Sequence, residues 1–330
     1  MIYIKNDNND PHYNLALEEY ALKYLDISDD ILILWQNEPS VIIGRNQNTI
    51  EEINSKYIKD NDINVVRRLS GGGAVYHDFG NLNFTFITSN DKNNVNNYRK
   101  FTKPVIDALK NLGVNAEFKG RNDIVVDDKK ISGNAQYFYK DKMLHHGTIL
   151  FNSNLEDIVY VLDVNVDKIK SKGIKSIRSR VTNIYPYLDN NIDIDKFKTI
   201  LLKSILKSEN INDFQYKLKS SDIKEIEELM KSRYLKWEWN YGESPEFNIQ
   251  KSKKYDGGTI DIRLNVKNGN ITKCKIYGDF FGNKDISILE NKIINNKFDE
   301  NNIKEILSNS TLSEYFYNIN KEDVIDCMFY

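Results

Sequence analysis

The 330-residue chain carries 46 lysine and arginine residues against 48 aspartate and glutamate residues, so its formal net charge is −2. This balance argues against the clustered basic surface that binding to nucleic acid or an anionic membrane requires. The 2 cysteines are too few for a disulfide framework or a zinc site and fit a reducing cytosol. The N-terminus lacks a signal-peptide layout, and no apolar run reaches the roughly 20 residues that span a bilayer. We therefore expect a cytoplasmic protein with no nucleic-acid or membrane partner.

The first half of the chain alternates helices with short strands. Asp10 and Pro11 form a good helix start, and apolar residues then recur at helical spacing as far as residue 25. Further helices are predicted over 50–60 and 101–112, the second ending before Gly113. Short apolar runs predict strands at 31–35, 41–43, 63–68 and 74–78, and a half-buried strand at 82–86.

The second half begins with more strands and ends in helices. Asp127-Asp128 is a predicted tight turn, and Asn268-Gly269 is a strong hairpin signal. Residues 194–232 are predicted to be helical. Strands are predicted at 124–126, in the return 129–135, and at 145–151, 258–266 and 271–277.

This order of elements lacks the regular strand–helix–strand spacing of a parallel sheet. It favours an α+β fold with a mixed, largely antiparallel sheet flanked by helices. Glycine and proline interrupt the pattern within 237–245, which is a plausible domain boundary. We therefore predict a main domain over 1–245 and a small α+β accessory domain over 246–330.

The most informative stretch runs from Arg67 to Asp78 and contains three consecutive glycines. Glycines weaken a strand, so a chain that keeps three in a row usually needs close approach to something. Arg67, Arg68 and Ser70 offer donors for an anionic or carbonyl oxygen. The spacing matches neither a nucleotidase phosphate loop nor a dinucleotide fingerprint. A glycine-rich hairpin turn between two strands is the alternative interpretation.

The histidines do not predict a zinc site. His145 and His146 are adjacent on a strand and therefore point to opposite faces. No His-Glu-x-x-His motif or cysteine pair supports zinc, and no Gly-x-Ser-x-Gly elbow supports a serine nucleophile. What remains is a set of cations, backbone N–H groups and one acid, Asp123, together with Lys130. Such a set suits positioning and charge stabilisation of a carboxylate and a phosphate.

Several motifs, in order, resemble those of the lipoate–protein ligase A family. Residues 67–81 resemble its lipoate-binding loop, and residues 172–181 resemble its adenylate-binding loop. Three motifs between these loops and one in the C-terminal hairpin are also similar: 120–123, 130–135, 145–148 and 276–281. Each motif alone is weak, but together and in this order they are specific.

The resemblance implies a fold related to biotin ligases and class II synthetases, and an ATP-dependent ligase in residues 1–245. Lipoate, ATP and Mg²⁺ would give lipoyl-AMP and pyrophosphate, and a carrier lysine would then accept the lipoyl group. The implied carriers are lipoyl domains of 2-oxoacid dehydrogenase E2 subunits and the glycine cleavage H protein. We expect a monomer.

The resemblance also assigns roles to individual residues. Lys130 is the expected catalytic residue, because a fixed ammonium stabilises the charge that develops on the acyl and phosphoryl oxygens. Asp123 is the tentative Mg²⁺ ligand, since carboxylates suit hard cations. The expected lipoate-binding residues are Trp35, Arg45, Arg68, Ser70, Gly71, Gly72, Gly73, Ala74, Val75, His77, Asn81, His146, Gly147 and Thr148. The expected nucleotide-binding residues are Gly73, Tyr76, Asn81, Asn122, Asp123, Lys130, Ser176, Arg178, Ser179 and Val181.

Two alternatives remain open. An octanoyl or lipoyl transferase of the same fold would pass the acyl group through a cysteine thioester, and both cysteines, Cys274 and Cys327, lie in the predicted C-terminal domain. A non-catalytic lipoate-binding module would keep the glycine stretch but could lose Lys130 and the 172–181 loop. Both are present here, which favours an enzyme.

Overall fold

The structure is a computed structural model that describes residues 1–91, 93–162, 179–188, 192–241 and 248–329. The strands are β1 (Ile2–Lys5), β2 (Ile31–Trp35), β3 (Ser40–Ile43), β4 (Asn64–Arg67), β5 (Val75–His77), β6 (Asn81–Ser89), β7 (Glu117–Lys119), β8 (Asp123–Val126), β9 (Lys129–Tyr139), β10 (Lys142–Leu150), β11 (Gln215–Tyr216), β12 (Ile249–Tyr255), β13 (Gly258–Lys267) and β14 (Asn270–Gly278).

Helices flank these strands. The α-helices in the described residues are Pro11–Lys23, Thr49–Glu52, Ser55–Asp60, Tyr98–Asn111, Asp157–Val161, Ile194–Leu206, Ser220–Leu229, Trp237–Asn240, Ile286–Ile293, Glu300–Ser308 and Lys321–Phe329. Within the described ranges, no helix combines the length and the apolar character needed to cross a membrane.

The largest sheet has eight strands in the order β11-β1-β2-β6-β10-β9-β8-β7. The pairs β1–β2 and β1–β11 are parallel, and the pairs from β2 through to β7 are antiparallel. The predicted α+β fold on a mixed, largely antiparallel sheet is therefore confirmed. Two smaller sheets accompany it, β12-β13-β14 and β4-β3-β5.

The glycine stretch is not a hairpin turn between paired strands, so that alternative is wrong. It leaves β4 and enters β5, but both strands pair with β3, on opposite sides of it. The chain therefore crosses over the end of β3, and this crossing forms the loop. β2 and β3, which are neighbours in sequence, also belong to different sheets.

Both faces of the large sheet are covered. Leu82, Phe84 and Phe86 of β6 join a core with the helices Tyr98–Asn111 and Ile194–Leu206. The half-buried pattern predicted for this strand is wrong on its other face, because Asn83 and Thr85 are also buried there. That second face packs towards the helix Pro11–Lys23 and the β4-β3-β5 sheet, and it carries the candidate site.

The predicted helix over 194–232 is interrupted. It divides into Ile194–Leu206 and Ser220–Leu229, with β11 between them. The two residues of β11 pair in parallel with β1, a contact that no local pattern in the sequence reports. The predicted single helix over 50–60 is likewise two short helices.

The C-terminal residues form a core of their own, drawn from residues 260–328. The predicted hairpin is confirmed, because Asn268 and Gly269 both have positive φ (51° and 74°) between β13 and β14. The boundary at residue 245 falls in 242–247, outside the described residues, so the division at that position stays a prediction.

Arg67 fixes the helix Trp237–Asn240 against the β4-β3-β5 sheet. Its guanidinium donates to the carbonyls of Trp239 (2.9 Å), Gly44 (2.8 Å) and Gln47 (2.7 Å). Burial and the neighbouring positive charge of Arg45 lower the pKa of Arg67 to about 10. Arg67 is therefore a structural clamp, and the interpretation of it as a free anion-binding donor is wrong.

We predict that Arg67→Met lowers the free energy of unfolding by about 3 kcal/mol, because it leaves several buried carbonyls without donors. Urea unfolding measures the change. Arg45→Met is the control, since it removes a partly exposed ion pair with Asp285 and should cost less than about 1 kcal/mol. An equal loss of unfolding free energy in the two variants would contradict the role of Arg67 as a structural clamp.

Candidate active site

Arg68 braces the glycine loop from inside the protein. Its buried guanidinium donates to the carbonyls of Ile42 (3.0 Å), Gly71 (2.8 Å) and Gly73 (2.9 Å), and its Nε donates to Ser70 Oγ (3.1 Å). Burial lowers the pKa of Arg68 to about 10, a value that leaves it charged at neutral pH. The loop carbonyls are thus drawn inward to one buried cation.

The three glycines face different surroundings. A Cβ on Gly71 would lie 2.5 Å from the carbonyl oxygen of Phe280, and one on Gly72 would lie 3.1 Å from the ring of Phe281. A Cβ on Gly73 would meet no atom within 4 Å among the described residues. Gly71 and Gly72 therefore admit the C-terminal segment, whereas Gly73 borders open space.

A cavity of about 360 Å³ lies beside this loop, within the usual range for small-molecule sites. Residues from the sheet, the loop and the C-terminal segment line it. They are Leu15, Trp35, Ile42, Arg68, Gly72, Gly73, Ala74, Val75, His77, Asn83, Arg121, Asn122, Asp123, Lys130, Gly133, Asn134, Ala135, His146, Gly147, Thr148, Asp279 and Phe281.

The cavity follows one row of residues across the sheet. Trp35 of β2 pairs with Asn83, which pairs with Thr148. The N–H of Gly133 donates to Thr148 Oγ1 (3.2 Å), and Gly133 pairs with Asp123 of β8. These five strands span roughly 19 Å at ~4.8 Å per step. One end of the cavity is apolar, and the other end is charged.

A β-bulge brings Lys130 to the charged end. Ile124 pairs with Ser132, but the next residue, Val125, pairs with Lys130, so the register shifts by one residue there. Such bulges re-aim side chains beside functional sites. Lys130 Nζ lies 2.8 Å from Asp123 Oδ1. Lys130 and Asp123, two predicted site residues, are therefore brought together.

The two adjacent histidines of β10 point to opposite faces, as predicted. The ring of His145 stacks on Phe101 in the core, with ring centroids 4.8 Å apart. His146 lines the cavity, and its Nε2 lies 2.6 Å from Ser70 Oγ. His146 thus connects the cavity wall to the glycine loop.

His77 lines the cavity near Trp35, with ring centroids 6.1 Å apart. Asn14 donates to Asn37 Oδ1 (2.9 Å), so the Asn37 amide nitrogen donates to His77 Nδ1 (3.1 Å). Burial lowers the pKa of His77 to about 3, so the ring is neutral. Because Nδ1 accepts, the proton lies on Nε2, which is buried and has no partner among the described residues.

Some predicted site residues do not line the cavity. Among the described residues these are Arg45, Ser70, Gly71, Tyr76, Asn81, Ser179 and Val181. Arg45 pairs with Asp285, and Tyr76 lies in a separate core, so neither reaches the cavity. The backbone of Val181 forms an isolated parallel β-bridge with that of Lys130. Ser176 and Arg178 lie outside the described residues, and all of these roles stay predictions.

Carboxylates available to a cation are sparse here. Asp123 and Asp279 line the cavity, and oxygen ligands of this kind suit Mg²⁺. In the parts of the chain that the structure describes, no three histidine, cysteine, aspartate or glutamate side chains group in a metal-binding arrangement.

Comparison with known proteins identifies the family. The lipoyl protein ligase A/B catalytic domain matches residues 10–206, and the bacterial lipoate protein ligase C-terminus matches residues 244–328. The lipoate-protein ligase LplJ of Bacillus subtilis is 51% identical over 331 residues, covering 100% of both chains. The chain belongs to the lipoyl protein ligase A/B family. It is therefore an enzyme of the ligase type.

Other members of the ligase family are similar over long spans. Lipoate–protein ligase 1 of Staphylococcus aureus is 47% identical, covering 99% of this chain and 100% of that one. P. falciparum LipL1, solved in complex with lipoate, is 30% identical, with a TM-score of 0.78 over 98% of this chain and 97% of that one. A lipoate-protein ligase A bound with ATP is 28% identical, with a TM-score of 0.63 over 73% of this chain and 98% of that one.

Sequence reasoning missed several residues of the site. Leu15, Ile42 and Asn83 line the cavity from elements that carry no motif. Glu18 and Thr85 lie behind the wall: Thr85 donates to Glu18 and accepts from Trp35, and Glu18 bonds to His146. The helix that carries Glu18 is predicted to be amphipathic, with its acids facing solvent, but residues 14–22 are all buried, so no pattern marked Glu18.

We predict that Gly71→Ala lowers Tm by about 3 °C or more, because its Cβ would overlap the Phe280 carbonyl. Gly73→Ala should leave Tm within about 1 °C, since its Cβ enters open space. Differential scanning calorimetry of the two variants measures this. Equal Tm values would contradict the assignment of Gly71 to the C-terminal contact.

Proposed function

We propose that this chain is an ATP-dependent lipoate–protein ligase that forms lipoyl-AMP and transfers the lipoyl group to a carrier lysine. One observation carries the proposal: a single cavity runs from an apolar end at Trp35 to a charged end at Lys130 and Asp123. The family supports it, as do the solved relatives described as bound to lipoate and to ATP.

The polarity of the cavity orients the acid. The dithiolane ring and acyl chain of lipoate lie at the apolar end, against Leu15, Trp35, Ile42 and Val75, where their burial is favourable. The carboxylate then points to Lys130, because burial of an anion requires a cationic partner. Among the other predicted lipoate-binding residues, Gly72, Gly73 and Ala74 line the cavity from the glycine loop, and His146, Gly147 and Thr148 line it from β10.

The first half-reaction needs little covalent chemistry from the protein. A carboxylate oxygen of lipoate attacks the α-phosphorus of ATP, and pyrophosphate leaves. Lys130 stabilises the charge shared by the acyl and phosphoryl oxygens, and its ion pair with Asp123 fixes its position. The bulge at Ile131 matters here, since an unshifted strand would turn Lys130 to the opposite face.

The nucleotide lies at the charged end in this scheme. Asn122, Asp123 and Arg121 line the wall there. Gly73 also lines the cavity, and a Cβ on it would meet no atom of the described residues within 4 Å. Mg²⁺ bound by Asp123 and phosphate oxygens would neutralise the leaving pyrophosphate. Val181 forms an isolated β-bridge with Lys130, and the Thr182 N–H donates to the Lys130 carbonyl (3.0 Å), so we propose that Val181 lies beside AMP. Binding of AMP by Ser176, Arg178 and Ser179 stays a prediction.

The second half-reaction transfers the acyl group. The neutral amine of a carrier lysine attacks the carbonyl carbon of lipoyl-AMP, the bond to AMP breaks, and an amide forms with loss of a proton. The carriers are lipoyl domains of E2 subunits and the H protein. An archaeal relative with 29% identity is described as a bi-partite lipoate protein ligase together with its E2 lipoyl domain, which agrees with this choice.

The two-domain organisation belongs to the same proposal. Residues 1–245 hold lipoate and ATP, and residues 246–330 form the accessory domain, in a cytoplasmic monomer. Asp279 and Phe281 reach the cavity from that domain, and Arg121 stacks on the Phe281 ring at 4.4 Å from its centroid. The accessory domain therefore completes the wall of the site where ATP is proposed to bind.

The transferase alternative needs a cysteine thiolate at the site, and the two cysteines of this chain do not suit that role. Cys274 and Cys327 are both buried in the C-terminal core. Burial raises the pKa of the Cys327 thiol to about 11 and raises that of Cys274 further. A thiolate at either position is therefore disfavoured at neutral pH, and neither residue lines the cavity.

Pyrophosphate release from ATP, with and without lipoate and without carrier, tests the proposal. We expect lipoate-dependent release with lipoyl-AMP held on the enzyme. Lys130→Ala should lower this rate by on the order of 10²–10³ or more without unfolding the protein. Lys129→Ala is the matched control. Lys130 pairs with Val125 and Lys129 pairs with the next residue, Val126, so the Lys129 side chain lies on the face of the sheet opposite to the cavity. Lipoate-independent release, or equal rates in the two variants, would contradict the proposal.

A further inference from the structure

Two branches of hydrogen bonds meet on one buried acid behind the cavity. Glu18 lies in the helix Pro11–Lys23 and is 3% exposed. Thr85 Oγ1 donates to Glu18 Oε1 (2.5 Å), and Trp35 Nε1 donates to Thr85 Oγ1 (2.9 Å). On the other side, His146 Nδ1 lies 3.1 Å from both Glu18 oxygens. We call the Thr85 side the indole branch and the His146 side the loop branch.

The loop branch continues to the glycine loop. His146 Nε2 lies 2.6 Å from Ser70 Oγ, and Arg68 Nε donates to the same Oγ (3.1 Å). Arg68 in turn holds the carbonyls of Gly71 and Gly73. The branch therefore joins Glu18 to the backbone of the loop.

The donors and acceptors of the loop branch fix one arrangement of protons. Ser70 Oγ accepts from Arg68, and among the described residues His146 Nε2 is the acceptor within reach of the hydroxyl proton, so the hydroxyl donates to Nε2. His146 must then carry its proton on Nδ1, where the Glu18 carboxylate accepts it. Every bond in both branches then points towards Glu18, which is the acceptor at which they end.

Three members of the branches line the cavity. Trp35 lies at the apolar end, His146 lies beside it, and Arg68 lies behind the glycine loop; all three line the cavity. Thr85 and Glu18 do not line it, so they contact these walls without contacting an occupant. Glu18 is also a buried negative charge that favours the charged form of Arg68.

We propose that Glu18 is a positioning residue of the acid-binding site, which orients Trp35 and His146 and, through Ser70, keeps Arg68 on the glycine loop. The inference rests on the proposed function only for the identity of lipoate as the acid. The carboxylate offers only acceptors to both branches, since Thr85 donates to Oε1 and His146 Nδ1 lies 3.1 Å from each oxygen. Glutamine has the same shape but replaces one acceptor oxygen with an N–H₂ donor.

The same helix offers a matched control. Glu19 is the next residue and is also buried, but it pairs with Lys23 (2.8 Å) and with Arg233, and Tyr234 donates to it (2.8 Å). Neither Glu19 nor these partners line the cavity among the described residues. Glu19→Gln therefore removes a comparable buried charge while leaving the cavity walls in place.

The test is the affinity of the full-length protein for lipoate, measured by titration calorimetry. We expect Glu18→Gln to weaken lipoate binding by on the order of tenfold or more, because the walls lose their fixed geometry. Glu19→Gln should stay within about twofold of the wild-type protein, whatever its effect on Tm. Equal affinities of Glu18→Gln and wild type, or equal weakening by the two variants, would overturn the inference.

Two further measurements decide the case if Glu18→Gln folds poorly. Thr85→Val keeps the shape of the side chain and cuts only the indole branch, so lipoate affinity should fall while ATP affinity stays within about twofold. Nitrogen-15 NMR of the histidines should find His146 protonated on Nδ1 in the wild-type protein; protonation on Nε2 would overturn the inference. These readouts are separate from pyrophosphate release, whose absence would count against the proposed function alone.

Discussion

The buried positive charge of Arg68 is the constraint on which the site depends. Its guanidinium is satisfied by the carbonyls of Ile42, Gly71 and Gly73, and Glu18 supplies the opposing charge through Ser70 and His146. A buried charge without such partners would be expensive, so the loop and the acid must be in place together. This coupling links the first helix, the glycine loop and the middle of the large sheet in one network.

The second constraint is the register of β9. The shift between Ile124 and Val125 turns Lys130 onto the cavity face, where it meets Asp123, while Ile131 stays in the core. The sheet then presents an apolar wall and an ammonium on one face, several strands apart. That separation is what a ligase needs if it is to bury an acyl chain and still leave the carboxylate next to a nucleotide.

Much of this could be predicted from sequence where local chemistry decides the structure. The Asp10-Pro11 helix start and the Asn268-Gly269 hairpin depend on neighbouring residues, and both are confirmed. Tertiary contacts decide the rest. β11 exists only because β1 offers it an edge, and Arg67 binds carbonyls with the same donors that could have held an anion. Glu18 carries no motif, since its role follows from strands that lie far away in the sequence.

The most direct test of the central claim follows the oxygen atoms of the acid. Lipoate labelled with oxygen-18 in its carboxylate is incubated with the enzyme, ATP, Mg²⁺ and an acceptor lipoyl domain, and the AMP is examined by mass spectrometry. If the carboxylate attacks the α-phosphorus, AMP leaves with one labelled oxygen and the new amide keeps the other. Unlabelled AMP, formed together with lipoylated carrier, would contradict an acyl-adenylate intermediate and with it the proposed role of the cavity.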